Sequence, residues 1–252
     1  MSYEVKLTIQ NQIREKLLSN KLIILLEIAL VLAPTYISLI LGYRPESDFI
    51  SLGDDLILLG GPLIWLAMTL SLFLLWVVTR LRGASWKDYG GSRPASWLRT
   101  MLSGVGLGII MIVAIVILQE LLSLAIPDAA PPDMSRFDAL HGNLPNLLVN
   151  VVVLWITAGF IEELIWRGYL INRLTHIFGQ SRMAWVIVLF CSAALFGVAH
   201  FYQGPSGILL TGTTGLLIGA AFLLVRRNLW PLVIAHGLIN TISFVDMFFN
   251  GI

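Results

Sequence analysis

Residues 101–126 read MLSGVGLGIIMIVAIVILQELLSLAI, a long apolar run with a single charge, Glu120. A helix needs about 20 apolar residues to cross the hydrocarbon of a bilayer. Lipid offers the backbone no water to bond, so a stretch of this length has to be helical. Working outward, six more stretches of the same kind are found at roughly 22–42, 56–79, 147–166, 183–201, 207–225 and 229–249. The expected fold class is all-α: a polytopic transmembrane helical bundle of about seven spans. Hydrophobic residues make up 57% of the chain and charged residues 12%, about half the charge of a soluble domain. That is too little charge to cover a water-facing surface. The 252 residues therefore read as a single membrane domain whose solvent is the lipid bilayer. The net charge of +1 gives no reason to expect a nucleic-acid partner, and the lone Cys191 excludes an intrachain disulfide.

The placement of charge is more informative than its sum. Lys16 and Lys21 precede the first stretch. Arg80, Arg82, Lys87, Arg93 and Arg99 follow the second, Arg167, Arg173 and Arg182 the fourth, and Arg226 and Arg227 the sixth. The alternate connections hold Glu46, Asp48, Asp54 and Asp55, then Asp128, Asp133 and Asp138, then the uncharged run Tyr202 to Ser206. Basic segments stay in the cytosol. This puts residues 1–21 in the cytosol as a short N-terminal segment and the C-terminus outside. Glu4, Lys6, Arg14, Glu15 and Lys16 interrupt that segment, so it does not read as a cleavable signal. In the sixth stretch Gly207, Thr211, Gly215 and Gly219 recur every four residues, a row that lets a neighbouring helix come close.

Ionisable residues inside a span are costly and usually have a task. The fourth stretch ends Gly159-Phe160-Ile161-Glu162-Glu163-Leu164-Ile165-Trp166-Arg167. Glu163 and Arg167 are four apart, on one helix face, and can pair. Glu162 is rotated about 100° away on an α-helix, which leaves it as the carboxylate without a local cation. The fifth stretch closes on His200, with Phe196 one turn earlier to wall its ring. The seventh carries His236 and Asn240 on one face. Polar groups in lipid need polar partners, so three helices with one polar face each are expected to meet. Ser192 and Ser243 lie nearby without a recognisable base beside them. The set that remains suits amide hydrolysis: a carboxylate to activate water, and imidazole and carboxamide groups to donate protons or hold an oxyanion. Two histidines and a carboxylate suit zinc equally well.

Glu162-Glu163-x-x-x-Arg167, Phe196-x-x-x-His200 and His236-x-x-x-Asn240, in this order and each on its own span, resemble the CPBP family. This group contains the CAAX-processing proteases related to Rce1 and the bacteriocin-processing or self-immunity proteins. The resemblance covers about 147–250, the expected catalytic core, and the stretch Trp86-Lys87-Asp88-Tyr89-Gly90 is similar as well. It implies an intramembrane endopeptidase of glutamic type acting on a membrane-associated protein or peptide. Glu162 would activate water with help from His200, while His236 and Asn240 would stabilise the oxyanion. Glu163 and Arg167 would form a supporting pair, and Phe196 a pocket wall. No cofactor is expected; the alternative is zinc held by His200, His236 and Glu162. The compact length resembles prokaryotic members, so the expected location is a prokaryotic cell membrane. The contrasting expectation is a proteolytically silent scaffold that regulates a partner such as a sensor kinase.

The charge pattern yields a first test. Cysteines introduced at Asp133 and at Arg93 should be labelled from opposite sides of the membrane, with position 133 external. Labelling of both from one side would refute the orientation.

Overall fold

The computed structural model describes residues 15–16, 18–42, 49–52, 56–59, 62–128 and 130–251. Glu4, Lys6 and Arg14 of the N-terminal segment, and Glu46, Asp48, Asp54 and Asp55 of the first connection, lie outside these. Among the described residues, seven apolar helices make the bundle: α1 (Lys21–Gly42), α2 (Pro62–Arg82), α3 (Trp97–Ala125), α4 (Leu144–Phe178), α5 (Arg182–Val198), α6 (Gly204–Leu224) and α7 (Leu229–Asn250). Six are long and apolar enough to cross a membrane; α5, with 17 residues, is the shorter one. The architecture is the expected all-α polytopic bundle. Helix starts are capped by side chains where the sequence provides them. Ser96, Asn143, Ser181 and Asn228 each accept a bond from a backbone N–H of the first turn, which satisfies donors a helix leaves open.

The structure departs from the sequence reading in four respects. Residues 57–59, assigned to the second span, instead form a strand, β2 (Ile57–Leu59), paired antiparallel with β1 (Phe49–Ser51). Two buried amides on α4 hold this hairpin. Asn146 Oδ1 accepts from the Ile57 N–H at 2.8 Å, and Asn150 Nδ2 donates to the Ile57 carbonyl at 2.9 Å. The fourth span is also far longer than 147–166. It runs 35 residues as one continuous helix, so the Glu162-Glu163 pair lies near its middle rather than at its end. Its central part, Trp155–Leu170, is wound as a π-helix. Such runs are rare and tend to occur at functional sites; nothing in the residue pattern announces this one. Finally, Arg167 and Arg173 do not belong to a connection, since both are buried within α4. Of the basic residues counted there, Arg182 alone is exposed.

The short α5 has a structural consequence. A helix of this length spans about 25 Å, less than the roughly 30 Å of hydrocarbon. The chain turns at His200 and the 3-10 segment Phe201–Gln203 before entering α6. Connection 126–143 folds over that turn. The Asp133 N–H donates to the Gln203 carbonyl at 3.1 Å, and the Ser206 hydroxyl donates to the Ala130 carbonyl at 2.6 Å. Leu140 packs with Leu147, Leu154, Phe244 and Met247 to pin the connection onto α4 and α7. Irregular backbone at membrane depth is tolerated when protein covers it or when it lines a cavity.

At the opposite end the connection 83–96 docks on the bundle. Asp88 accepts from the N–H and hydroxyl of Ser85, and these bonds hold its carboxyl below the usual range. The Tyr89 ring is fully buried against Tyr169 at 5.9 Å. Gly90 accepts from the Leu229 N–H at 3.1 Å. The family-like stretch 86–90 thus works as a clamp on the ends of α4 and α7.

Helix α5 runs along α6, α3 along α7, and α1 along α2. The small-residue row on α6 is used as expected, with Gly215 facing Phe196 and Gly219 facing Leu189. The closest approach is made at Gly197 of α5. A side chain there would stand 2.7 Å from the Ile208 carbonyl oxygen and 2.9 Å from the Gly212 Cα. Overfilling a packed site typically costs about 1–3 kcal/mol. Gly197→Leu should therefore lower the melting temperature of the detergent-purified protein by several degrees. An unchanged melting curve would show that α5 and α6 are not held this close.

Candidate active site

The site is assembled where α4 crosses α7. Gly159 sits at the crossing, where a Cβ would stand at ordinary contact distance from the Val233 carbonyl oxygen, 3.5 Å, and the Gly237 Cα, 3.7 Å. Trp155 covers Gly237 and donates its indole N–H to Thr241 at 3.0 Å. This crossing brings Glu163 and His236 together. One oxygen of Glu163, Oε1, accepts from Arg167 Nη1 at 2.8 Å and from His236 Nδ1 at 2.7 Å. Glu163 is 0% and Arg167 1% exposed, so both charges are out of reach of bulk water. A pair this deep depends on its geometry to offset desolvation. The Arg167 guanidinium gains a second support, lying 4.5 Å from the Phe196 ring centre.

The sequence pairing of Glu163 with Arg167 is present. Its contact with His236, across two helices and 73 positions of sequence, is the kind expected where the polar faces meet. That contact fixes the imidazole. Nδ1 donates to the carboxylate, which leaves Nε2 on the far side of the ring. His200 is oriented in the same way: its Nδ1 donates to the Phe196 carbonyl at 2.9 Å. Phe196 stands 4.8 Å from the His200 ring and 5.3 Å from Trp166.

Glu162, His200, His236, Asn240 and Phe196 all line one cavity of about 790 Å³. Neither the Glu162 carboxylate nor the Asn240 carboxamide bonds to any described residue. They are the polar groups of the motifs left open to whatever occupies the cavity. The two nearby serines are committed to backbone instead. Ser192 donates to the Trp166 carbonyl at 3.5 Å and Ser243 to the Ile239 carbonyl at 3.2 Å. Among the described residues, no group of three His, Cys, Asp or Glu side chains is placed to hold a metal ion.

Other residues of the wall escaped the sequence reading. Tyr202 lies 5.8 Å from the His200 ring, and Arg136 sits 4.3 Å over the Tyr202 ring. Gln203 donates to the Tyr202 hydroxyl at 3.3 Å and accepts from Thr211 at 3.0 Å. Trp65 reaches the cavity from α2 with its indole nitrogen buried and without a partner among the described residues. Tyr202 was the most legible of these, two residues past a motif histidine. Arg136 and Trp65 come from elements distant in sequence and carry no local signal.

The division between the two glutamates can be tested by stability. Arg167→Ala leaves the Glu163 charge buried with one cation fewer, a change that typically costs about 3–5 kcal/mol. Glu162→Gln removes a group with no hydrogen-bond partner among the described residues. The first variant should melt well below the parent protein and the second close to it; equal melting temperatures would contradict the arrangement.

Comparison with known proteins follows the same segment. Residues 144–242 match the family model described as type II CAAX prenyl endopeptidase Rce1-like. No curated protein and no solved structure matches the chain. The matched segment, under half of the chain, contains all three motifs and the α4–α7 crossing, and over it this polytopic membrane protein is similar to the Rce1-like CAAX proteases.

Proposed function

We propose that the protein is an intramembrane endopeptidase of glutamic type, with Glu162 as the base that activates water. The observation that carries this reading is the contrast within the Glu162-Glu163 pair. One carboxylate is consumed by Arg167 and His236, while the other faces the cavity with no bond to the described residues. In the proposed reaction Glu162 takes a proton from water as its oxygen bonds to the scissile carbonyl carbon. His236 Nε2 and the Asn240 amide donate to the developing oxyanion. The C–N bond then breaks, and the proton held by Glu162 passes to the leaving amine. His200, its Nδ1 fixed on Phe196, is placed to help orient the water through Nε2. The substrate is a membrane-associated protein or peptide, drawn into a cavity walled by apolar side chains.

The bonds of His236 Nδ1 to Glu163 and of His200 Nδ1 to Phe196 leave the Nε2 atom of each ring for water or a substrate oxygen.

Loss of a general base costs about 10²–10⁴-fold in rate, and loss of an oxyanion donor about 10²–10³-fold. Glu162→Gln and Asn240→Ala should therefore abolish or sharply reduce the peptides that wild-type membranes release, compared by mass spectrometry of the membrane peptidome. Activity should persist in a strong chelator. An unchanged peptidome in the Glu162→Gln strain would overturn the protease reading. Near-equimolar zinc, lost together with activity on chelation, would overturn the glutamic mechanism alone.

A further inference from the structure

The cavity has a direction. Each helix contributes to its wall from the same end of the bundle. Thr35 lies toward the end of α1, Trp65 at the start of α2, Gln119 toward the end of α3, Asn150 at the start of α4, Thr211 in the first half of α6, and Met247 at the end of α7. All of these are the ends joined by connections 43–61 and 126–143 and by the turn 199–203. No lining residue comes from connections 83–96, 179–181 or 225–228. Below the motif residues the bundle is solid. Tyr169, Leu170, Ile171, Phe222 and Leu229 are at most 2% exposed, and the clamp around Tyr89 closes that end.

Charge distinguishes the two ends. The closed end displays Lys16, Lys21, Arg80, Lys87, Arg93, Arg99, Arg182 and Arg226, all exposed. The open end exposes Asp128, Asp133 and Asp138, and its one described cation, Arg136, lies over Tyr202 in the cavity wall. Exposed Lys and Arg next to span ends mark the cytosolic side.

We propose that the cavity is reached from the non-cytosolic face. Its substrates are then membrane-anchored peptides or proteins whose cleaved segment lies outside the cytosol or in the outer leaflet. Cytosolic tails have no path to Glu162. A lateral route suits such a chain. Helices α2 and α3 both line the cavity, through Trp65 and Gln119 among others, yet barely touch each other. A peptide anchored in the outer leaflet can enter between them without leaving the membrane. The substrate class rests on the protease reading above; the sidedness does not.

The test uses the full-length protein with Cys191 replaced by Ala. Thr211→Cys and Ser243→Cys place single thiols in the cavity wall, on two different helices and outside the catalytic set. Asp133→Cys and Arg93→Cys serve as references for the two faces. Each variant is exposed to a membrane-impermeant maleimide in right-side-out and in inverted vesicles. The expected result is modification of both cavity thiols from the face that labels position 133, and none from the face that labels position 93. Labelling from the position-93 face, or from neither face, overturns the proposal. A proteolytically silent chain would give the same labelling, so failure of the sidedness and failure of the protease reading are told apart.

Discussion

A carboxylate in hydrocarbon persists only if its charge is met where it stands, and in this bundle Glu163 is met twice. Arg167, one turn along the same helix, supplies the opposite charge, while His236, from the last helix, supplies a second donor to the same oxygen. The first contact is local and forms with the helix. The second requires α4 and α7 to be seated in register, with Gly159 and Gly237 at the crossing. The ion pair therefore acts as a gauge of correct packing. If the crossing slips, a buried charge loses a partner, and such losses typically cost about 3–5 kcal/mol. Arg167 passes the constraint on to Phe196 through its ring contact, and Phe196 positions His200. The residues around the cavity thus hang from one oxygen atom.

The second determinant is a helix that ends early. Had α5 continued for another turn or two, His200 would lie inside a regular helix and the space beside it would be filled. Instead the chain turns early, and connection 126–143 covers the turn, with the Asp133 N–H on the Gln203 carbonyl and the Ser206 hydroxyl on the Ala130 carbonyl. The turn supplies Tyr202 and Gln203 to the wall, and the folded connection supplies Arg136. Polar surface is gathered where a longer helix would have had only lipid.

The apolar helices were written plainly in the sequence, because length and hydropathy alone dictate helices in a bilayer. The motif residues were legible for a related reason: Glu162, Glu163, Arg167, His200, His236 and Asn240 are conspicuous in apolar runs. What stayed hidden depends on contacts between distant segments. The strand Ile57–Leu59 reads as the start of an apolar span, yet Asn146 and Asn150, some 90 positions away, hold it through Ile57. Arg173 reads as a loop cation, yet its helix continues past it and buries it. The π-helical winding of Trp155–Leu170 leaves no mark in residue periodicity, since the apolar residues on every side give no stripe to measure.

The packed layer beneath the motif residues bears on energy conservation as well as on shape. A polar cavity that reaches the middle of a membrane is already half of a conduit. Carboxylates and imidazoles spaced along the remaining half would let protons hop through and run down the gradient that an energised membrane maintains. Here the path meets Tyr169, Leu170, Ile171, Phe222 and Leu229, packed without exposure. The nearest charges above that layer, Glu163 and Arg167, are locked to each other. A fold of this kind can hold polar groups within the bilayer while keeping the membrane an insulator.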